Sequence, residues 1–222
     1  MKAGSRLVAA LSLGAVGAVG CGPPADSLLV EGHIEGWRGG AGYRLVAVPM
    51  YKADPVPVLA TGVLSESGDF RIRLPSGDAL SPYLWRPSFV PPGRNPKSES
   101  CPLSPMVSEG LEVASVRLVA TDPAAGDVGL SLRSRAVWPG ESMPGDVLGA
   151  FHYAFQDGSI LGRRQCVSYN SKSTTDYLVT YARGWNFYKV EIKEYVDDPL
   201  NTVYTAEETT GPLPPQLKWF PG

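Results

Sequence analysis

The chain has 222 residues, with 20 lysines and arginines against 22 aspartates and glutamates, and 43% of its residues are hydrophobic. That length and composition can bury one large or two small cores, which argues against disorder along the whole chain. The net charge of −2 offers no broad basic surface, and two histidines with three cysteines leave little for a metal cluster, so we expect no nucleic-acid partner, no metal and no cofactor.

The first 20 residues have the pattern of a secretory signal peptide. Lys2 and Arg6 give a positively charged start, and residues 7–20 form an uncharged, largely apolar stretch. This stretch is shorter than the ~20 residues of a bilayer span, but it fits the hydrophobic region of a signal peptide, which runs about 7–15 residues. We therefore expect residues 1–20 to be absent from the working protein.

The residues around the end of that stretch, Ala18-Val19-Gly20-Cys21, resemble the lipobox of bacterial lipoproteins. The resemblance implies a thioether-linked diacylglycerol on Cys21, a further acyl chain such as palmitate on its amine, and a lipidated tether over residues 21–26. Because two or more acyl chains hold a protein stably on a membrane, we expect a lipid anchor in the cell membrane or outer membrane, with the protein exposed outside the cytoplasm. The alternative is an ordinary signal peptide cut nearby.

The cysteine count agrees with an exported protein. If Cys21 is lipidated, Cys101 and Cys166 remain to form a disulfide, which an oxidising envelope permits. The alternative is that Cys166 is a nucleophile served by His152, although no local signature supports it.

Residues 27–122 are predicted to form a first β-sandwich module. Side chains alternate with period two, so that Leu28, Val30 and Ile34 share one strand face, as a half-buried strand requires. A turn at Ser67-Gly68 leads into a second alternating run. Its predicted inward positions are Phe70, Ile72 and Leu74.

Three parts of this stretch resemble the carboxypeptidase-regulatory-like or transthyretin-like β-sandwich modules. The residues that carry the resemblance are 30–34 with Gly36, the apolar run that ends at Val48, and 66–72 ahead of Leu74-Pro75. The resemblance implies a sandwich fold with a structural or binding role, and it carries over no catalytic residue.

The rest of the chain continues the β pattern after a Pro-rich irregular segment at residues 76–109 and a candidate linker at residues 121–127. Residues 123–222 are predicted as a second sandwich module, with a hairpin signal at Asp157-Gly158. We therefore predict an all-β protein of about ten to twelve strands, built as two packed antiparallel β-sandwich modules.

The sequence offers no catalytic constellation. His33 and His152 are predicted on exposed strand faces, and no G-x-S-x-G motif accompanies them. Glu31 and Glu35 share a strand face, but four residues at ~3.3 Å each separate them by about 13 Å, too far for a glycosidase pair. We predict a protein that is not an enzyme.

Three tryptophans are the candidate ligand contacts. Trp85, Trp138 and Trp185 are predicted at strand ends or in loops, where indoles can stack on sugar rings, anchor a protein partner or plug the end of a core. We expect a lipid-anchored, envelope-exposed protein with a structural role or a role in binding a ligand or an envelope partner. The alternative is a carbohydrate-binding envelope module that uses these tryptophans.

Overall fold

The computed structural model describes residues 26–50, 56–88, 100–135, 143–168, 170–198 and 202–221. The predicted signal peptide, the predicted lipid attachment site Cys21 and the candidate ligand contact Trp138 lie outside these residues. Strands make up 62% of the structure and are accompanied by one short α-helix among the described residues, which confirms the predicted all-β class.

The described residues contain fourteen strands and one short α-helix, in place of the ten to twelve strands expected. In chain order they are β1 (Leu28–His33), β2 (Arg44–Pro49), β3 (Ala60–Leu64), β4 (Asp69–Leu74), α1 (Gly77–Leu80), β5 (Ser100–Leu103), β6 (Met106–Val107), β7 (Val113–Asp122), β8 (Gly126–Arg133), β9 (Val147–Ala154), β10 (Gly158–Val167), β11 (Ser171–Tyr181), β12 (Gly184–Val196), β13 (Thr202–Gly211) and β14 (Lys218–Pro221). A 3₁₀ turn at Ser81–Tyr83 follows α1. Within this part of the chain, no helix has the length and apolar character to cross a membrane.

The strands form one large mixed sheet, in the order β1-β4-β3-β2-β7-β8-β9-β12-β13-β11-β10-β5, with β14 paired to β8 and β6 paired to β10. One pair, β11 with β13, is parallel, where the sequence predicted antiparallel pairing throughout. The sheet curls so that the end of β1 approaches β14, where the amide of Glu35 donates a hydrogen bond to the carbonyl of Trp219 at 2.8 Å. The two ends of the chain's described part therefore meet beside β8.

The main core lies inside this curl. The inward positions predicted on β1 and β4 are confirmed, since Ile34, Ile72 and Leu74 are 0%, 1% and 0% exposed. The same core includes Phe151 and Trp219 from beyond residue 122. Burial of apolar surface from both parts of the chain in one core stabilises them together.

The predicted boundary between the two modules lies in the short turn between β7 and β8. The candidate linker at residues 121–127 is a hairpin in which Asp122 of β7 pairs with Gly126 of β8. The structure does not confirm two sandwich modules. That division stays a prediction.

Two local predictions are wrong. Asp157-Gly158 does not form a hairpin between β9 and β10, because these two strands do not pair with each other. β9 pairs with β7 and β8 on one side and with β12 on the other. β10 pairs with β11 on one side and with β5 and β6 on the other. The segment 76–109 is also not irregular throughout, since α1, β5 and β6 lie in it. Turn residues fix a local change of direction, but neighbouring strands decide the pairing.

The predicted disulfide between Cys101 and Cys166 is present. It joins the edge strand β5 to β10, and both residues are buried, at 7% and 2% exposure. Since its sulfur is bonded to Cys101, Cys166 is not a nucleophile, and that alternative is wrong.

Candidate functional site

A cleft of about 420 Å³ opens on the sheet face formed by β9, β12, β13, β11 and β10. We call it the aromatic cleft. Its walls carry five rings and one carboxyl, together with smaller apolar residues. The rings and the carboxyl belong to Trp85, His152, Tyr177, Tyr181, Tyr188 and Glu208, and the apolar residues include Leu148, Ile160 and Val190.

The strand register explains why these side chains meet. Tyr177 and Tyr181 are four residues apart on β11, so both point to the same face. On the neighbouring β13, Glu208 lies beside Tyr177 in the parallel register and beside Val190 of β12 in the antiparallel register. Tyr188 is two residues before Val190 and therefore projects from the same face.

His152 was predicted on an exposed strand face, and this prediction is wrong, because the side chain is only 6% exposed. β9 is a central strand with both faces covered: Phe151 and Tyr153 enter the main core, and Ala154 enters a second cluster that includes Tyr181. A strand covered on both sides buries polar and apolar positions alike.

The His152 ring is held by two tyrosines. Its Nδ1 lies 2.9 Å from the Tyr181 hydroxyl, and its ring stacks on Tyr188 with centroids 4.4 Å apart and planes 16° from parallel. Burial lowers the pKa of His152 to about 3, because the site removes the water that would stabilise the imidazolium. The histidine is therefore neutral at physiological pH.

The carboxyl of Glu208 is the acidic group of the cleft. It accepts a hydrogen bond from the Tyr188 hydroxyl. Burial raises the pKa of Glu208, against the opposing effects of the Tyr188 hydrogen bond and the positive charge of Arg164. The same burial, reinforced by the Glu208 charge, raises the pKa of Tyr177 to about 12, so the tyrosine stays a neutral hydrogen-bonding group.

Trp85 forms one wall of the cleft and is fixed by its backbone. Its amide and carbonyl both pair with Val113, at 2.9 Å and 3.0 Å, and its indole Nε1 donates to the Ser115 hydroxyl at 3.2 Å. Ser115 lies opposite His152 in the β7–β9 register. The tryptophan therefore lies on the same side of the sheet as the histidine.

The predicted tryptophans do not converge on one site. Trp185 packs edge-on against Tyr153, with centroids 5.4 Å apart, and donates its Nε1 to the Pro75 carbonyl at 3.2 Å. Trp138 is outside the described residues. Of the three, Trp85 is placed in the aromatic cleft.

The other groups weighed from the sequence are at the surface. His33 is exposed as predicted, and its Nδ1 lies 2.9 Å from an oxygen of Asp69. Glu31 pairs with Arg71, and Glu35 pairs with Lys218, each within 3 Å. Among the described residues, no three histidine, cysteine, aspartate or glutamate side chains cluster closely enough to hold a metal ion.

Sequence reasoning missed the tyrosines and Glu208. The alternation of Tyr177, Val179 and Tyr181 was visible as a strand pattern, but it does not say which strand will lie beside β11. The neighbour is β13, which inserts between β11 and β12 and brings Glu208 to the tyrosines. This arrangement depends on pairing between distant segments.

Comparison of the chain with family models, with curated proteins and with solved structures finds no match. The resemblances to bacterial lipoproteins and to transthyretin-like modules therefore stay predictions.

Proposed function

We propose that this protein is a lipid-anchored, envelope-exposed, non-enzymatic β protein that binds a small ligand in the aromatic cleft. The observation that carries the proposal is the cleft itself: at about 420 Å³ it is lined mainly by aromatic and aliphatic side chains, with one half-buried carboxyl among the described lining residues. Small-molecule sites in proteins are typically apolar concavities of about 300–1,000 Å³ with a few polar groups.

Binding without catalysis is supported by how His152 is engaged. Its hydrogen bond goes to Tyr181, a neutral phenol, while the Ser115 hydroxyl opposite it in register accepts from the Trp85 indole. A histidine that serves as a general base needs a pKa near the working pH. The pKa of His152, lowered to about 3, makes it a weak base for activating a hydroxyl.

The proposed anchor would lie close to the start of the folded part. The carboxyl of Asp26 accepts hydrogen bonds from the Tyr153 hydroxyl at 2.7 Å and from the Gly77 amide at 3.1 Å. Asp26 is five residues after Cys21. Since each residue spans at most about 3.6 Å, a lipid on Cys21 would hold this end of the protein within about 18 Å of the bilayer.

We expect mass spectrometry of the mature protein to find an N-terminal peptide that begins at Cys21 and carries acyl mass. Its control is Cys21→Ala, which should move the protein from the membrane fraction to the soluble fraction. A peptide that begins at Cys21 without acyl mass would end the lipoprotein proposal and leave ligand binding untouched.

The cleft is tested with a panel of one neutral, one cationic and one anionic compound, namely cellotriose, choline and benzoate. Saturation-transfer NMR should detect at least one of them, and Trp85→Ala should weaken that binding by roughly tenfold, the effect of losing a good aromatic contact. Trp185→Ala removes an indole outside the cleft and should leave the affinity unchanged. If none of the three binds in a manner that depends on Trp85, the proposal fails.

The second candidate, a carbohydrate-binding module, is favoured by the partly exposed indole of Trp85 in the cleft wall. This candidate predicts a specific order of affinities among the same three compounds. Cellotriose would then bind more tightly than choline, and Trp85→Ala would abolish the difference.

A further inference from the structure

The polar groups of the rings that line the aromatic cleft already have hydrogen-bond partners in the protein. The Trp85 indole donates to Ser115, the Tyr181 hydroxyl bonds His152, and the Tyr188 hydroxyl donates to Glu208. A sugar that entered this cleft would leave several hydroxyls without partners or would have to break these bonds. Each buried polar group left unpaired costs about 1–3 kcal/mol.

The charge of the lining is negative. Among the described residues that line the cleft, Glu208 carries the one carboxyl, and there is no lysine or arginine. His152 adds no positive charge, because its buried ring is neutral. Arg164 lies on β10 outside the lining, where it hydrogen-bonds Tyr177 and its positive charge acts on Glu208. Among the described lining residues, an anionic ligand would therefore meet a carboxylate and no lysine or arginine.

Aromatic rings next to a carboxylate are suited to one class of ligand in particular. The faces of Trp and Tyr rings attract cations through their electron-rich π systems, by about 0.5–1 kcal/mol per ring when exposed and about 2 kcal/mol or more when desolvated. A quaternary ammonium group has no N–H donor, so it leaves no hydrogen bond unmade where the tyrosine and tryptophan tips are already engaged. It also gains from the negative charge of Glu208.

We propose that the aromatic cleft selects organic compounds that carry a quaternary ammonium group, with the partly exposed rings of Trp85 and Tyr188 contacting the methyl groups and Glu208 supplying the negative charge. This inference rests on the proposed function, since it names the ligand class of the same cleft. It goes further in that it requires a positive charge on the ligand.

The test compares choline with its neutral carbon isostere, in which a tert-butyl group replaces the trimethylammonium group. The two ligands have the same shape and differ in charge. Isothermal titration calorimetry on the full mature protein, in mildly alkaline buffer, should show choline binding about tenfold more tightly, as expected for a cation in contact with two ring faces. Equal affinities would overturn the proposal.

Two variants test whether the negative charge that favours choline is that of Glu208. Glu208→Gln keeps an oxygen for the Tyr188 hydroxyl but removes the negative charge, and it should weaken choline binding by roughly tenfold while leaving the isostere unaffected. The matched control, Glu207→Gln, removes the same charge from the adjacent residue of β13, whose carboxylate lies 3.7 Å from Lys193. It should bind choline like the unmodified protein.

The outcomes separate this inference from the proposed function. If cellotriose or benzoate binds in a manner that depends on Trp85 and choline does not, the cleft is a ligand site and the quaternary ammonium proposal is wrong. If Glu208→Gln and Glu207→Gln lose choline affinity equally, the effect is one of net charge and the proposal is also wrong. If no compound binds, both proposals fail.

Discussion

Removal of the Cys101–Cys166 disulfide is expected to lower the free energy of unfolding by about 4 kcal/mol. The two cysteines are 65 residues apart in sequence. In the chain-entropy model, a cross-link that closes a loop of this size removes about 4 kcal/mol of freedom from the unfolded chain. For a protein of this size each kcal/mol shifts the thermal midpoint by roughly 2–4 °C, so the midpoint should fall by roughly 8–16 °C.

The place of the disulfide in the fold adds a local effect. β5 is a four-residue edge strand, and its partner β10 also contributes Ile160 to the aromatic cleft. The bond ties this edge to a strand that is paired along its whole length with β11. Without it, β5 keeps few hydrogen bonds, and we expect it to open before the rest of the sheet.

The measurement compares urea unfolding of the oxidised protein, the same protein under reductant, and the double variant Cys101→Ala, Cys166→Ala. The reduced protein controls for the loss of sulfur atoms in the double variant, since it keeps both side chains. Reduced and double-variant proteins should show the same loss of stability. If the oxidised protein has two titratable thiols after denaturation, or if reduction leaves the midpoint unchanged, the prediction is contradicted.

The disulfide could be predicted because the inference uses only the number of cysteines and the export signal. Strand positions such as Ile34, Phe70 and Ile72 could be predicted as well, because alternation along a single strand determines which side chains face a core. These inferences use information that lies within one segment or that does not depend on the topology.

The aromatic cleft could not be predicted, because its residues meet through pairings between distant strands. The sequence pattern predicts a strand at Tyr188, but it does not extend a strand to Glu208. It also does not show that β12 and β13 are antiparallel neighbours or that β11 pairs with β13 in parallel. His152 shows the same limit for burial. A polar residue that alternates with Phe151 and Tyr153 has the pattern of an exposed face. His152 is buried because a second cluster of side chains covers the other face of β9.

The burial of His152 has a consequence for stability at acidic pH. The pKa of His152 falls from 6.5 to about 3 on folding, because the desolvated ring disfavours the charged form. Between these two values the unfolded chain binds a proton that the folded protein does not. Stability therefore falls as the pH falls from about 6.5 toward 3, by up to about 1.4 kcal/mol per pH unit, and the loss amounts to about 3 kcal/mol at about pH 4.

Other groups facing the cleft titrate in the opposite sense or outside this range. Burial raises the pKa of Glu208, and a carboxyl whose pKa is raised on folding adds stability as the pH falls through the folded value. Tyr181 and Tyr188, which touch the imidazole, are neutral phenols at acidic pH. The contribution of His152 must therefore be isolated by difference.

His152→Gln provides that difference, since a glutamine amide offers Tyr181 a polar partner and carries no titrating proton. We expect this variant to lose about 1–2 kcal/mol near neutral pH, because the ring no longer stacks on Tyr188. Its stability should then fall less steeply than that of the unmodified protein, so that the gap between the two closes or reverses near pH 4. Urea unfolding across this pH range measures both slopes.

His33→Gln is the matched control, because His33 is the exposed histidine on β1 and its removal leaves the aromatic cleft intact. The stability of this control should still fall more steeply toward acidic pH than that of His152→Gln. Parallel slopes for His152→Gln and the unmodified protein would mean that the imidazole is hydrated or charged in the folded state. The cleft would then hold a positive charge of its own below neutral pH, and the electrostatic preference for a cationic ligand would weaken with it.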